Sequence, residues 1–255
     1  LGYGYKFDDK FGAKVTLDVG KNSGGSQYTA FLKVASLSYK ASEQLTLDAG
    51  MIGAKNFKFM EKAWGKRYIE KSALDKNKWA NSADVGVSGT YKISNMFSID
   101  AQMVNGEGYK NTQDSDGLFR TGAGITIKLN DKLSGRIFVD NVPTANDSSV
   151  YDEQTITTGA LVYKNKNYVL GAEMSKMENQ DNLVSDIKRD LVSLYASINM
   201  GYYNFFDRRD ILSTDDEDVN ETHTLIQNGD GTFQIFGVER ELTKGLKISA
   251  NMQST

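Results

Sequence analysis

The chain has 255 residues, 30 Lys and Arg against 33 Asp and Glu for a net charge of −3, no Cys, and a single His, His223. Without thiols there are no disulfide scaffolds, thiolate zinc sites or cysteine nucleophiles, and one imidazole removes most His-dependent triads and multi-His metal sites. A mean hydropathy of −0.47 and the lack of any run near the ~18–20 apolar residues of a membrane helix look soluble, yet a β-barrel that spends only alternate residues on lipid has the same signature.

The opening LGYGYKF is neither basic nor a long apolar run, so no signal-peptide pattern is visible there. Alternation then dominates the chain. Val15, Leu17 and Val19 oppose Lys14, Thr16 and Asp18, and Leu45, Leu47, Ala49 and Met51 oppose Thr46, Asp48 and Gly50. Phe97, Ile99, Ala101 and Met103 oppose Ser98, Asp100 and Gln102, and Ala123, Ile125, Ile127 and Leu129 oppose Gly122, Gly124, Thr126 and Lys128. Leu133, Ile137 and Val139 oppose Ser134, Arg136 and Asp140, and near the end Leu246, Ile248, Ala250 and Met252 oppose Lys247, Ser249, Asn251 and Gln253. Each is the period-2 pattern of a strand with one apolar face. Segments 28–40 and 202–212 do not reveal an inward face.

Connections alternate as regularly. Short polar turns at 8–10, 41–44, 93–96, 130–132, 165–167, 200–201 and 242–245 interleave with long polar stretches at 20–27, 55–82, 107–117, 142–153, 177–190 and 214–231. Seven turns and six loops join fourteen strands, and because antiparallel neighbours reverse direction, turns gather at one end of the sheet and loops at the other. That polarity predicts an all-β, antiparallel transmembrane β-barrel of a bacterial outer membrane, in one domain over 1–255. A soluble β-sandwich needs no such asymmetry of its ends. Tyr3, Tyr5, Phe7, Phe11, Tyr39, Tyr91, Phe97, Tyr163 and Tyr168 lie next to the turns, where an interfacial aromatic girdle would be, although strand propensity alone also favours them.

Residues 55–82 differ from the other loops. Eight basic residues face three acidic ones for a net +5, leaving −8 for the rest of the chain, and FMEKAWGKRYIEKSALD (59–75) predicts a helix. A long loop folded inward is the natural device for narrowing a wide barrel, with Phe57, Phe59, Trp64, Tyr68 and Trp79 as wall anchors. A solvated helix on the exterior is the other placement. Folded inward, Lys58, Lys62, Lys66, Arg67 and Lys71 are the candidate constriction, and basic groups in a narrow passage favour anions. The candidate lumen-lining residues are Lys14, Asp48, Asp84, Lys92, Asp100, Arg120, Lys128 and Arg136; Asp18, Asp140 and Glu173 share that interior. With both signs present, opposed walls would set a transverse field, and counting does not decide selectivity.

The expected function is passive diffusion of small hydrophilic solutes, anionic ones preferred, with no cofactor, no catalytic residue and no metal. The alternative is a structural barrel that docks a partner through its loops. An enzyme is disfavoured because His223 sits in an acidic loop without a Gly-x-Ser-x-Gly context, and nucleic-acid binding because the one basic cluster lies in an acidic chain. The DDEDVNE run (215–221) lacks the spacing of an EF-hand and reads as solvated charge, with divalent bridging to neighbouring lipopolysaccharide as a second reading.

Residues 47–87 also resemble a segment of general and phosphate-selective-type outer-membrane porins. There a strand with a Gly-containing end runs into a loop bearing Trp, Gly, aromatic and basic residues, followed by a strand beginning Ala-Asp-Val-Gly. The matching positions here are Gly53, Glu61, Trp64, Gly65, Arg67, Tyr68, Glu70, Lys71, Asp75, Ser82, Ala83, Asp84 and Gly86. The resemblance implies a pore-constricting loop, a barrel of 16 or 18 strands, a homotrimer, and membrane lipid, lipopolysaccharide and small solutes as partners. The chain departs from that pattern in ending at Asn251–Thr255 without a terminal aromatic, which leads to the expectation of one further strand on each side and sixteen in the intact barrel.

Overall fold

A computed structural model describes residues 1–21, 28–113, 117–143, 153–179, 188–215 and 230–255. The acidic run 216–229, with His223, lies outside the described residues. The chain forms one antiparallel sheet of fourteen strands in which every strand pairs with its neighbours in sequence. In order these are β1 (Gly2–Lys6), β2 (Phe11–Lys21), β3 (Tyr28–Lys40), β4 (Leu45–Gly53), β5 (Ala83–Lys92), β6 (Phe97–Val104) and β7 (Arg120–Lys128). They continue as β8 (Leu133–Val142), β9 (Gln154–Lys164), β10 (Tyr168–Glu178), β11 (Lys188–Met200), β12 (Tyr203–Asp215), β13 (Gly231–Thr243) and β14 (Leu246–Ser254). No β1–β14 pairing occurs among the described residues, so the sheet is open at those two edges. No described helix is long and apolar enough to cross a membrane.

Five of the seven turns share a local mechanism. Asp8, Ser42, Ser94, Asn130 and Asn165 each accept, through a side-chain oxygen, the amides two and three residues ahead. A short polar side chain thereby substitutes for a missing backbone acceptor and sets the reversal.

The two faces are chemically inverted relative to a soluble protein. Outward positions such as Leu17, Leu47, Val87, Ile99, Ile125, Ile137, Leu161, Leu170 and Leu194 are large, apolar and exposed, as a lipid-facing band requires. The turn-end aromatics Tyr3, Tyr5, Phe7, Phe11, Tyr91, Phe97 and Tyr168 are exposed on that side too, with Phe11 stacked on Tyr39. Inward positions carry the polar and charged groups Ser88, Gln102, Arg120, Arg136, Asp140, Glu173, Ser193 and Arg208, which are buried.

The two segments whose faces were illegible have specific causes. In β3 the register against β2 jumps between Thr16 and Leu17, leaving Lys33 as an extra residue, and such a bulge reverses the parity of everything beyond it. In β12 the faces are mixed: Phe206 and Leu212 are buried on the inward side while Asp207 and Arg209 stand outward.

Inward apolar residues concentrate on β9 to β13, where Ile156, Val162, Met177, Leu191, Tyr195, Phe206, Leu212, Phe233 and Ile235 are buried. A Cβ at Gly171 would overlap the Tyr195 ring, so this glycine is what lets the ring lie flat along the wall. Gly171→Val is expected to cost about 1–3 kcal/mol by overpacking, read as a lower midpoint in heat-modifiable gel migration.

Candidate functional site

The apolar wall has a partner. Ala54 N donates to Ser82 O at 3.1 Å, closing the base of a loop that leaves the sheet between β4 and β5 and folds against the inward face. Helix α1 (Lys55–Trp64) begins where Gln102 of β6 accepts the Lys55 amide at 2.7 Å. It stops at Gly65, which is left-handed (φ 65°) and donates to Glu61 O at 2.8 Å, the usual glycine C-terminal motif. The helix expected over 59–75 is therefore two: α1, and a short α2 (Ala73–Lys76) beyond the glycine.

Phe57, Met60 and Trp64 are the buried apolar side of α1, three to four residues apart as a helical stripe must be. Phe57 packs with Ala73, Leu74, Trp79, Ile156, Met177, Leu191 and Leu212, whereas Met60 and Trp64 pack with Val162, Tyr195, Phe206, Phe233 and Ile235. Trp64 meets Tyr195 and Phe206 edge to face, with centroids 6.1 and 5.9 Å apart, and its indole N–H donates to Glu70 O at 2.9 Å. Burial of a side chain of this size contributes roughly 1.5–3 kcal/mol, so the stripe holds the loop firmly.

Three inward arginines add polar anchors. Arg120 is paired with Asp140 and donates to Trp79 O at 3.0 Å. Arg136 is bidentate to Asp100 at 2.7 and 2.8 Å and donates to Lys55 O at 3.3 Å. Arg208 is bidentate to Asp210 at 2.9 and 2.5 Å, donates to Lys71 O, and lies 5.3 Å from the Trp64 ring. In each case a guanidinium neutralised by a wall carboxylate turns its remaining N–H groups to a carbonyl of the loop, a use of its donor fork that lysine could not reproduce.

The candidate constriction residues separate into two groups. Lys66, Arg67 and Lys71 are occupied. Lys66 is buried, 5.1 Å from the Phe206 ring and 5.7 Å from the Trp64 ring, and burial lowers its pKa against the opposing pull of Glu239. Arg67 is paired with Glu61 and, at 2.6 Å, with Asp75, which Lys71 approaches at 3.6 Å. Tyr68 next to them donates to Glu239 of β13; burial first and that bond second push its pKa up to about 12, so it remains a donor at neutral pH.

Lys58 and Lys62 lie on the exposed side of α1. Lys58 shares an open space of about 440 Å³ with Lys6, Lys14, Ser36, Ser38 and Asp48 of β1 to β4. The enclosing wall desolvates its ammonium and, with Lys55 and Lys14 nearby, lowers its pKa against Asp48 and Asp100. Asp48 is already engaged by Lys55 Nζ at 3.2 Å. Lys62 lines a second space of about 580 Å³ at the turn end, with Lys128, Lys132 and Lys164.

The candidate lumen residues all face inward, with different roles. Lys14 and Lys128 border the open spaces, and Lys92 is exposed at the turn end of β5. Asp48, Asp100, Arg120 and Arg136 tie down the loop or its neighbours. Asp84 accepts the Gly106 amide at 2.8 Å and so fixes the start of the next long loop. That loop reaches across the mouth: Tyr109 donates to Asp18 of β2 at 2.7 Å, and burial and this bond raise its pKa. Among the described residues no group of three or more His, Asp or Glu could hold a metal ion.

The residue that sequence reasoning missed is Arg208. Its signal was the Phe206, Arg208, Asp210, Leu212 row, hidden by charges on the opposite face.

No family model and no curated protein matches the sequence. Among solved structures the chain is similar to Salmonella typhi OmpF in a complex with daunomycin, with TM-score 0.68, 12% identity, and 99% of this chain and 80% of that one covered. It is also similar to a loop-deletion mutant of OmpT, an outer membrane protein of Vibrio cholerae, with TM-score 0.66, 12% identity and coverage of 98% and 82%. A mutant of the Rh. blastica porin gives TM-score 0.60, 16% identity and coverage of 99% and 82%. The shared feature at these identities is the fold, that of a transmembrane antiparallel β-barrel.

Proposed function

We propose that the chain is an outer-membrane porin, a passive channel for small hydrophilic solutes that prefers anions. The observation that carries this reading is the division of the lumen. The loop covers the wall of β9 to β13, and the space left beside β1 to β4 is bordered by Lys14 and Lys58, which no ion pair neutralises among the described residues, while Lys6 is paired with Asp9 and Asp48 with Lys55. A fixed positive field at a confined, partly desolvated passage lowers the entry barrier for anions. The barrel fold shared with porins supports a bacterial outer-membrane location, and the resemblance of residues 47–87 points the same way. The edges of β1 and β14 require pairing in lipid, where an unpaired backbone group is costly.

In planar bilayers the protein is expected to give discrete ohmic steps, with a reversal potential of anion-preferring sign under a KCl gradient. Because the Lys58 pKa is lowered, its charge is lost as pH rises through a value below that of an ordinary lysine. The anion preference is therefore expected to be full at neutral pH and to decline on the alkaline side earlier than surface lysines titrate. Stable insertion without conductance steps would favour the partner-binding barrel instead.

A further inference from the structure

Phe59, Lys62 and Ala63 of α1 stand three and four residues apart and so share one side of the helix, next to the stripe that seats the loop on the wall. They border the space of about 580 Å³ at the turn end, a volume within the ~300–1,000 Å³ of small-molecule sites. Its lining divides by chemistry. Phe59, Ala63 and Val162 form a floor continuous with the apolar cluster around Trp64, and Met96 and Leu129 extend it at the turns. Lys62, Lys128, Lys132 and Lys164, all exposed, add four ammonium groups against the single carboxylate of Asp131. None of the four ammonium groups makes an ion pair or hydrogen bond among the described residues.

The backbone holds these groups in place. Lys128 N donates to Met96 O at 2.8 Å and Lys164 N to Lys132 O at 2.7 Å, which ties the turn before β6 to β7 and the turn before β8 to β9. Asn130 Oδ1 accepts the Lys132 amide at 2.8 Å and fixes the turn that carries this lysine. A bowl with an apolar floor and a cationic rim discriminates between solutes. An inorganic anion satisfies the lysines and leaves the floor wetted, whereas a neutral apolar molecule covers the floor and leaves the charges unanswered. A molecule with an apolar body and one anionic head satisfies both, since apolar lining supplies binding and a few placed polar groups fix orientation.

We propose that this bowl binds amphipathic organic anions, the apolar body lying on Phe59, Leu129 and Val162 and the anionic head among Lys128, Lys132 and Lys164. The proposal rests on the channel reading, for which it names a class of solute. It adds a station on the turn-end side of α1, apart from Lys14 and Lys58.

The probe is benzoate, a single ring with one carboxylate, titrated by calorimetry into the full chain folded in zwitterionic micelles, with protein-free micelles as the blank. Saturable one-to-one binding is expected. Benzamide, which keeps the ring and loses the charge, and sulfate, which keeps charge and loses the ring, are each expected to bind at least tenfold more weakly. Lys128→Glu with Lys164→Glu should weaken benzoate at least tenfold. Lys10→Glu with Lys244→Glu, the same change in net charge made in two turns outside the bowl, should change it less than twofold. Heat-modifiable gel migration identifies folded barrels, and the comparison of the three probes on the unaltered chain decides the matter if the lysine variant folds poorly. No saturable binding, equal binding of benzamide or sulfate, or an equal loss in both lysine pairs would each overturn the proposal. Calorimetry reports binding and not conductance. Conductance steps without benzoate binding defeat only this proposal, and benzoate binding without conductance steps defeats only the channel reading.

Discussion

Exchanging Lys14 and Lys58 together for glutamate is expected to reverse the sign of the reversal potential in a salt gradient. Both line the open space beside β1 to β4, and no ion pair neutralises either among the described residues. An ion passing at ~4 Å in a water-like dielectric feels about 1 kcal/mol per unit charge. Two reversals thus shift the anion-to-cation permeability ratio by roughly tenfold or more. The informative comparison is Lys66→Glu with Arg67→Glu. These residues belong to the same basic loop, but Lys66 is buried over aromatic rings and Arg67 is held by Glu61 and Asp75. Their exchange is expected to weaken the loop and to shift selectivity less. A reversal potential unmoved by the first pair and inverted by the second would put the passage on the other side of the loop.

Arg208→Ala is expected to have the largest effect on stability and on the size of the opening. The substitution leaves Asp210, only 4% exposed at its side chain, as a buried carboxylate with Ser193 as its remaining partner at 2.7 Å. It also removes the donor to Lys71 O and the cation beside Trp64. Breaking a buried pair from one side costs about 3–5 kcal/mol, to be measured by denaturant unfolding in detergent micelles. Freed of this anchor, the loop should leave a larger and noisier single-channel conductance. Arg208→Ala with Asp210→Ala should recover part of the stability and none of the closure, which separates the burial cost from the anchoring role. Normal conductance in the single variant would show that the aromatic contacts hold the loop unaided.

Where outward positions are mostly apolar, as in β2, β4, β6 to β8 and β14, strand existence and face were legible because lipid asks for nothing but alternation. β3 failed for a local reason, the extra Lys33, and β12 for a chemical one, the outward Asp207 and Arg209. The candidate site was legible only as a region. Composition marked residues 55–82 as basic and aromatic, but which lysines border open space depends on helix phase. That phase is set by Phe57, Met60 and Trp64 meeting a wall that is apolar on its inner side, and by Gly65 ending the helix about three turns earlier than propensity suggests. The arginine anchors were beyond reach because they join the loop to strands far along the chain.

That distance orders events in time. Sheet pairing is entirely between sequence neighbours, so hairpins are able to zip together one after another as a low-separation topology allows. The loop is different: its bond from Lys71 to Arg208 spans 137 residues and that from Tyr68 to Glu239 spans 171. The loop is made well before the residues that fasten it. Until strands β12 and β13 are in place the loop has nothing to fasten to, so on the proposed channel reading the bore is coupled to the formation of that wall.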